Sequence, residues 1–241
     1  MKPSQLTTLL ALLLAVAPIH AQETKTETKK SEASQKKAEG QTPDKMKGDK
    51  KAAPIKTRML KVAGRTPQVE PLNLKIPVTW KEVRSTSRMR AATLEIPVAK
   101  GDKEKGELAV FVFGAQGISD NIDRWVGQFK STGRKAKVTV GQFADPNQKS
   151  PSKAKQQPAV PYFFVEVSGT YKKSVGPPIM RKTEDKTGYR MLAVLIPVKG
   201  SAYVLKLTGP DKTVAAQAAS FRKSFGGDAK KEKPWGRKKN K

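Results

Sequence analysis

The spacing of hydrophobic residues along this chain changes from one segment to the next, and the segment 108–129 shows the change most clearly. Residues 108–113 form an unbroken apolar run, which is typical of a strand buried on both faces. Glycines at 114 and 117 then predict a turn. The next apolar residues share one helical face: Ile122, Trp125, Val126 and Phe129. We therefore expect a central strand followed by an amphipathic helix over about 119–131, capped by Ser119 or Asp120.

The remaining chain predicts a series of strands and a second helix. Alternating or continuous apolar runs indicate strands at 77–80, 89–96, 137–143, 162–168, 189–196 and 203–207. Two polar, proline-containing segments at 145–158 and 172–187 are predicted to be long loops. A proline before an apolar helical stripe starts the second helix, over about 210–225. The short turns between the late strands favour antiparallel pairing, so the fold class is α+β, a mainly antiparallel sheet with two principal helices on its two faces.

The polarity of the two ends defines the predicted domain organisation. Residues 1–21 combine a basic start, a short apolar stretch and small residues, which is typical of a secretory signal peptide. Residues 22–53 lack aromatic residues and are expected to be disordered. A linker at 54–71 leads to one globular domain at 72–226. The linker can add an edge strand from Met59 to Val62. A basic disordered tail is expected at 227–241. The protein is thus expected to be exported, periplasmic or extracellular.

The net charge of +27 bears on which partners the protein can bind. Charge of this size attracts polyanions, but it also serves simply to keep an exported protein soluble. If a polyanion such as nucleic acid or an acidic envelope polymer binds, the candidate contacts lie in the first long loop and the C-terminal tail. These candidates are Lys149, Lys153, Lys155, Lys230, Lys231, Lys233, Arg237, Lys238 and Lys239.

The residue types that most catalytic sites need are scarce. The chain has no cysteine and one histidine, His20, which lies in the predicted signal peptide. This argues against Ser-His-Asp and Cys-His catalysis and against the usual zinc sites, and we expect no cofactor, metal or catalytic residue. Glu95 and Glu166 are the carboxylates considered for a hydrolase, although ordinary exposed strand glutamates explain them better. The glycines at 101 and 106 precede a strand and lack the following Lys and Ser or Thr of a phosphate loop.

Two other features of the sequence are candidates for binding. The glycine turn at 114–117 precedes a helix, where backbone amides can bind an anion. Asp120 and Asp123 place negative charge there, which favours a purely structural turn. Ile179 and Met180 are apolar residues on the second long loop, where they either contact a partner or fold down as a lid on the core.

Six blocks of the sequence carry a resemblance: RMRAATLEIP, GELAVFVFG, NIDRWVGQF, VEVSGTY, YRMLAVLIP and KLTGPDKTV. In this order they resemble a family of uncharacterised exported bacterial proteins, which implies export and a common fold but no activity. The order of elements is also similar to that of the PsbP-like α/β/α sandwich. We therefore expect an exported, non-enzymatic binding or scaffold module, with a polyanion binder and a carboxylate hydrolase as the alternatives. An unknown protein or an acidic envelope polymer is the expected partner.

Overall fold

Nearly continuous apolar runs in the central strands build a sheet that is buried on both faces. The computed structural model describes residues 54–236 except 65, 68, 86, 115–116, 144–159, 177, 181 and 199, all within one compact unit, Ala52–Lys241. The strands are β1 Thr57–Val62, β2 Leu72–Pro77, β3 Lys81–Glu82, β4 Arg90–Ile96, β5 Gly106–Gly114, β6 Lys135–Phe143, β7 Val160–Ser174, β8 Thr183–Val198, β9 Ser201–Pro210 and β10 Lys233–Pro234. The helices are α1 Ile118–Val126, α2 Asp211–Ala216 and α3 Ala218–Ser224, with a 3₁₀ turn at Pro178–Met180.

Eight of these strands form one antiparallel sheet in the order β10-β6-β7-β8-β9-β5-β4-β3. Strands β1 and β2 form a separate antiparallel hairpin. Short strands occupy both edges of the large sheet, which limits the open backbone available for pairing with another chain. The predicted α+β class with a mainly antiparallel sheet is confirmed.

Successive side chains of each strand point to opposite faces, so β8 contributes to two hydrophobic cores. Leu192, Val194 and Ile196 join the core that the β1–β2 hairpin, α2 and α3 cover. Met191 and Leu195, from the same strand, join the core under α1. Helices therefore lie on both faces of the sheet, as predicted.

Strand β5 differs from the expectation that both of its faces are fully buried. Leu108 and Val110 have no exposed surface, whereas Phe111 and Phe113 pack against the second core and remain partly exposed. The predicted strand at 77–80 is also wrong, because β2 ends at Pro77 and the chain then turns.

Helix α1 carries the predicted apolar face, with Ile122 and Trp125 buried. It begins after Gly117, and neither Ser119 nor Asp120 is its N-cap; no side-chain cap hydrogen bond is formed. The helix is also shorter than predicted, because the chain turns at Gly127 and Phe129 then forms a β-bridge with Tyr171. The backbone after α1 thus continues the sheet instead of the helix.

The predicted C-terminal helix is divided into α2 and α3 at Gln217. The side chain of Gln217 accepts a hydrogen bond of 3.1 Å from the indole Nε1 of Trp80, which is fully buried. Val214, Phe221 and Phe225 nevertheless form the expected buried stripe. Gln217, at the break between the two helices, thus supplies a hydrogen-bond partner for a buried indole.

Two segments predicted to be irregular, at the two ends of the domain, each contain a strand. The predicted linker 54–71 holds β1, because Leu60 and Val62 alternate into the core. The predicted tail 227–241 holds β10, whose backbone pairs with β6. Residues 1–53, the predicted loop 145–158 and residues 237–241 lie wholly outside the described residues.

The predicted loop 172–187 is mainly a two-stranded ribbon formed by the ends of β7 and β8. Lys172 lies opposite Asp185, and Lys173 lies opposite Glu184. Opposite charges at facing positions favour antiparallel pairing, and this pattern was the sequence signal for the ribbon, although Asp185 and Glu184 form their ion pairs with Lys130 and Lys186. Within the part of the chain that the structure describes, no helix is long and apolar enough to cross a membrane.

Candidate functional site

A cavity of about 370 Å³ opens on the face of the sheet that α1 covers. It lies beside the C-terminal end of α1, and strands β4, β5, β7, β8 and β9 contribute to it. Its lining residues are Arg90, Glu104, Lys105, Glu107, Ala109, Phe111, Gln128, Tyr171, Lys173, Ser174, Tyr189, Lys206, Thr208 and Gly209. A larger cavity of about 580 Å³ lies between the β1–β2 hairpin and α3, but the described residues that line it include no aromatic ring and no carboxylate. The cavity beside α1 is therefore the better candidate for a functional site.

The strand pattern itself directs Lys206 into this cavity. In β9, Tyr203, Leu205 and Leu207 point into the core beneath α2 and α3, so Lys206 lies on the opposite face. Its direct neighbours on the adjoining strands are Ala109 and Ala193. Because both neighbours are small, the lysine stem has room to lie within the sheet face.

The ammonium of Lys206 is hydrogen-bonded only to neutral groups among the described residues. It donates to Oε1 of Gln128, and to the hydroxyl of Tyr171 over 3.5 Å. Nζ also lies 5.5 Å from the centre of the Tyr171 ring. The ion pairs within the described part of the chain give it no carboxylate partner. A partly buried cation is thus left without a counterion in contact.

The surroundings of Lys206 disfavour its charge. Burial is the main cause that lowers the pKa of Lys206 to about 8, and the positive charges of Arg90 and Arg124 lower it further. The charge of Glu107 acts in the opposite direction. A bound anion would stabilise the charged ammonium and raise its pKa.

Each carboxylate that lines the cavity has a hydrogen-bond or ion-pair partner. Glu107 forms an ion pair of 3.0 Å with Arg90. Glu104 accepts a hydrogen bond of 2.6 Å from the hydroxyl of Tyr189 and lies 3.4 Å from Nζ of Lys186. The hydrogen bond from Tyr189, followed by that from Lys186, lowers the pKa of Glu104. Both carboxylates therefore face the cavity with a partner in place.

Tyr171 connects the aromatic wall of the cavity to Lys206. Its ring stacks on Tyr189 at 6.0 Å and contacts the buried Phe129 at 5.2 Å. Burial is the main cause that raises the pKa of the Tyr171 hydroxyl, which therefore stays protonated at neutral pH. The bridge between Phe129 and Tyr171, with Lys172 donating its backbone amide to the Gln128 carbonyl, joins α1 to β7. The cavity thus combines a cation, neutral hydrogen-bonding groups and aromatic rings.

The carboxylates considered for a hydrolase are far apart. Glu166 lies on β7 and pairs with Arg190, whereas Glu95 lies on β4 and pairs with Lys105 at 2.7 Å. Four strand spacings separate β7 from β4, which corresponds to roughly 19 Å. A glycosidase pair needs a much shorter separation, so the structure does not bring these two residues together.

The other predicted contact residues lie away from the cavity. Ile179 and Met180 are 89% and 56% exposed at the end of the β7–β8 ribbon, so they do not cover the core as the lid alternative required. Lys230, Lys231 and Lys233 are exposed on the C-terminal segment. The remaining candidates lie outside the described residues: Lys149, Lys153, Lys155, Arg237, Lys238 and Lys239. Among the described residues, no group of acidic side chains is arranged to hold a metal ion.

Sequence reasoning missed Lys206 and its neighbours. The sequence does contain a signal for this site, which is a lysine inside the apolar run of β9. A charged residue at the centre of a buried strand needs polar groups around it. The alternation along β9 predicts the face of the sheet on which Lys206 lies. Its partners Gln128 and Tyr171 could not be predicted, because they come from a turn and a strand that are far away in sequence.

Comparison with known proteins identifies no family. No family model matches the chain, and no curated protein matches it either. Among solved structures, cyanobacterial PsbP (CyanoP) from Synechocystis sp. PCC 6803 is 14% identical, with a TM-score of 0.35 over 68% of this chain and 86% of that one. LpqN, involved in cell envelope biogenesis of Mycobacterium tuberculosis, is 11% identical, with a TM-score of 0.37 over 70% and 88%. At these values neither structure identifies a ligand or a site for this chain.

Proposed function

We propose that this protein is an exported, non-enzymatic binding module that holds a small anionic ligand in the cavity above Lys206. One observation carries the proposal: a partly buried ammonium on the cavity wall has only neutral hydrogen-bond partners among the described residues. An anionic group of a ligand would supply the missing counterion. The signal-like N-terminus supports export, and the lack of cysteine and of histidine beyond His20 supports a binding role.

The shape and polarity of the cavity limit the ligand further. A volume of about 370 Å³ lies in the range of small-molecule sites. Phe111 and Tyr171 offer ring surface to an apolar or planar ligand body, while Lys206 and Arg90 attract its charge. The ligand we propose therefore carries a carboxylate or a similar anion on a compact apolar body.

Calorimetric titration at pH 7 with 2-naphthoate, and with its neutral amide 2-naphthamide, tests this proposal. We expect naphthoate to bind at least ten-fold more tightly than the amide, because only the carboxylate pairs with Lys206. Lys206→Met should remove that preference while keeping the stem in place. The matched variant Lys81→Met, at an exposed position of β3, should stay within two-fold of the wild type.

The pH dependence of the same titration gives a second readout. Lys206 loses its proton as the pH rises through about 8, so naphthoate affinity should fall between pH 7 and pH 9. Binding of the amide should not change over that interval. Equal binding of naphthoate and naphthamide, or unchanged naphthoate binding by Lys206→Met, would contradict the proposal.

A further inference from the structure

The β7–β8 ribbon projects beyond the strands on either side of it. The pairing of β6 with β7 ends at Ser168, and the pairing of β8 with β9 ends at Tyr189. The ladder between β7 and β8 continues past both points, from the pair Tyr171–Lys186 to the pair Ser174–Thr183. The segment after α1 supports only the base of this ribbon, through the amide of Lys130 bonded to the Thr170 carbonyl.

The end of the ribbon exposes two large apolar side chains. Ile179 is 89% exposed, and Met180, at 56%, follows it in the same 3₁₀ turn. Ile179 is the most exposed large hydrophobic residue in the described part of the chain. Such side chains at the end of a projecting element are unfavourable in water and favourable in an apolar environment.

The charges beside this tip are mainly positive and available. Lys172, Lys173 and Lys182 are partly or fully exposed and have no ion pair with a described carboxylate. The acidic residues of the ribbon have partners, since Asp185 pairs with Lys130 and Glu184 pairs with Lys186. An apolar tip with free lysines behind it is complementary to a negatively charged surface that has an apolar interior.

We propose that the tip of the β7–β8 ribbon docks this protein onto an anionic lipid bilayer, with Ile179 and Met180 inserted below the headgroups. Lys172 and Lys182 would then lie at the level of the lipid phosphates. A bilayer fits better than a protein partner for two reasons. Two side chains offer far less area than the roughly 1,200 Å² of a stable protein interface. Lysine is also depleted at protein interfaces, whereas it is common beside membrane-inserted apolar residues.

Labelling at single introduced cysteines tests the insertion directly, because the chain has no cysteine of its own. An environment-sensitive fluorophore such as NBD would be attached to full-length Ile179→Cys and, as the control, to full-length Met89→Cys. Met89 is 66% exposed and lies outside the ribbon. With vesicles of phosphatidylcholine and phosphatidylglycerol at 7:3 in 150 mM salt, we expect a blue shift and increased emission at position 179 alone. Pure phosphatidylcholine vesicles should give little change at either position.

Vesicle co-sedimentation of unlabelled full-length variants separates the contributions of the tip and the lysines. The double variant Ile179→Ser/Met180→Ser should lower the partition coefficient on anionic vesicles at least five-fold, and Lys172→Gln/Lys182→Gln at least three-fold. Met89→Ser should remain within two-fold of the wild type.

Equal emission changes at positions 179 and 89 would overturn the proposal, because they would indicate adsorption through general surface charge. Absence of wild-type binding to anionic vesicles would also overturn it and would favour a protein partner for the tip.

Discussion

At the scale of single residues, the described structure places its most sheltered charges in two different settings. Lys206 has neutral partners, whereas Glu232, whose side chain is 4% exposed, is fully engaged. Glu232 pairs with Arg222 at 2.8 Å and accepts hydrogen bonds from Thr139 at 2.7 Å and Tyr162 at 3.1 Å. An unpaired sheltered charge favours a ligand, whereas a fully bonded one favours a structural role. We therefore assign Glu232 to the attachment of the C-terminal segment.

Glu232→Gln should lower the free energy of unfolding by about 3 kcal/mol at pH 7, because it leaves the Arg222 guanidinium half-buried without its counterion. Urea denaturation measures this difference. Burial alone would raise the pKa of Glu232, but the hydrogen bonds from Arg222, Thr139 and Tyr162 lower it overall. This stabilisation is therefore present above the ordinary pKa of 4.5 and is lost as the pH falls through the lowered value.

The matching comparison is Glu95→Gln, which alters an exposed ion pair. We expect it to change the free energy of unfolding by less than about 0.5 kcal/mol. The assignment of Glu232 would be wrong if both variants had the same stability at pH 7, or if the deficit of Glu232→Gln grew as the pH was lowered.

At the scale of elements, an irregularity in β7 positions Tyr171 against Lys206. The register with β8 shifts between Gly169 and Tyr171, so the ribbon continues with a changed side-chain direction. Gly169 adopts a φ of +142°, and a Cβ placed there would lie 3.3 Å from the Cα of Arg134. Glycine is thus required by both the backbone conformation and the close approach of a neighbouring segment.

Gly169→Ala should lower the free energy of unfolding by about 2 kcal/mol, because the alanine is strained at this φ. It should also weaken naphthoate binding by displacing Tyr171 from Lys206. Gly114→Ala is the control, since a Cβ at Gly114 meets no atom within 4 Å. Thermal unfolding and the calorimetric titration provide the two measurements, and wild-type behaviour of Gly169→Ala in both would refute this role of the bulge.

Pattern reasoning succeeded for elements whose faces are set locally. The continuous apolar run at 189–196 predicted burial on both faces of β8, and the stripe of Ile122, Trp125 and Phe129 predicted the buried side of the segment 118–129. It failed where a distant contact overrides local preference, as at Gln217, whose bond to Trp80 accompanies the break between α2 and α3. Composition also misled for 172–187, because prolines near the turn obscured the opposite charges at facing positions of the ribbon.

At the scale of the whole molecule, the net charge of +27 predicts weak, salt-sensitive attraction to polyanions. The exposed Lys230 and Lys231 lie in the same C-terminal segment that Glu232 attaches to the domain. We interpret the charge mainly as a source of solubility, with the specific chemistry concentrated in the Lys206 cavity and at the ribbon tip.

Binding of the full chain to duplex DNA across a salt series tests that interpretation. We expect affinity to fall steeply with salt and to be negligible at physiological ionic strength, since counterion release is its only source. Lys230→Gln/Lys231→Gln should weaken binding no more than Lys81→Gln/Lys212→Gln, a matched pair of exposed lysines elsewhere. Binding that survives physiological salt and depends on Lys230 and Lys231 would instead establish a polyanion site on the C-terminal segment.

The sequence by itself determined the α+β class, the two-sided burial of the sheet and the scarcity of catalytic side chains, because alternation and composition act locally along the chain. Only the tertiary structure brought Gln128, Tyr171 and Lys206 together and buried the side chain of Glu232, which belongs to the segment that composition assigned to a disordered tail. The physical reason is that strand register and the packing of distant segments decide which polar groups meet. The sequence pattern predicts on which face of the sheet a strand lysine lies. Whether that lysine contacts a carboxylate or lines a cavity depends on residues far away in the chain.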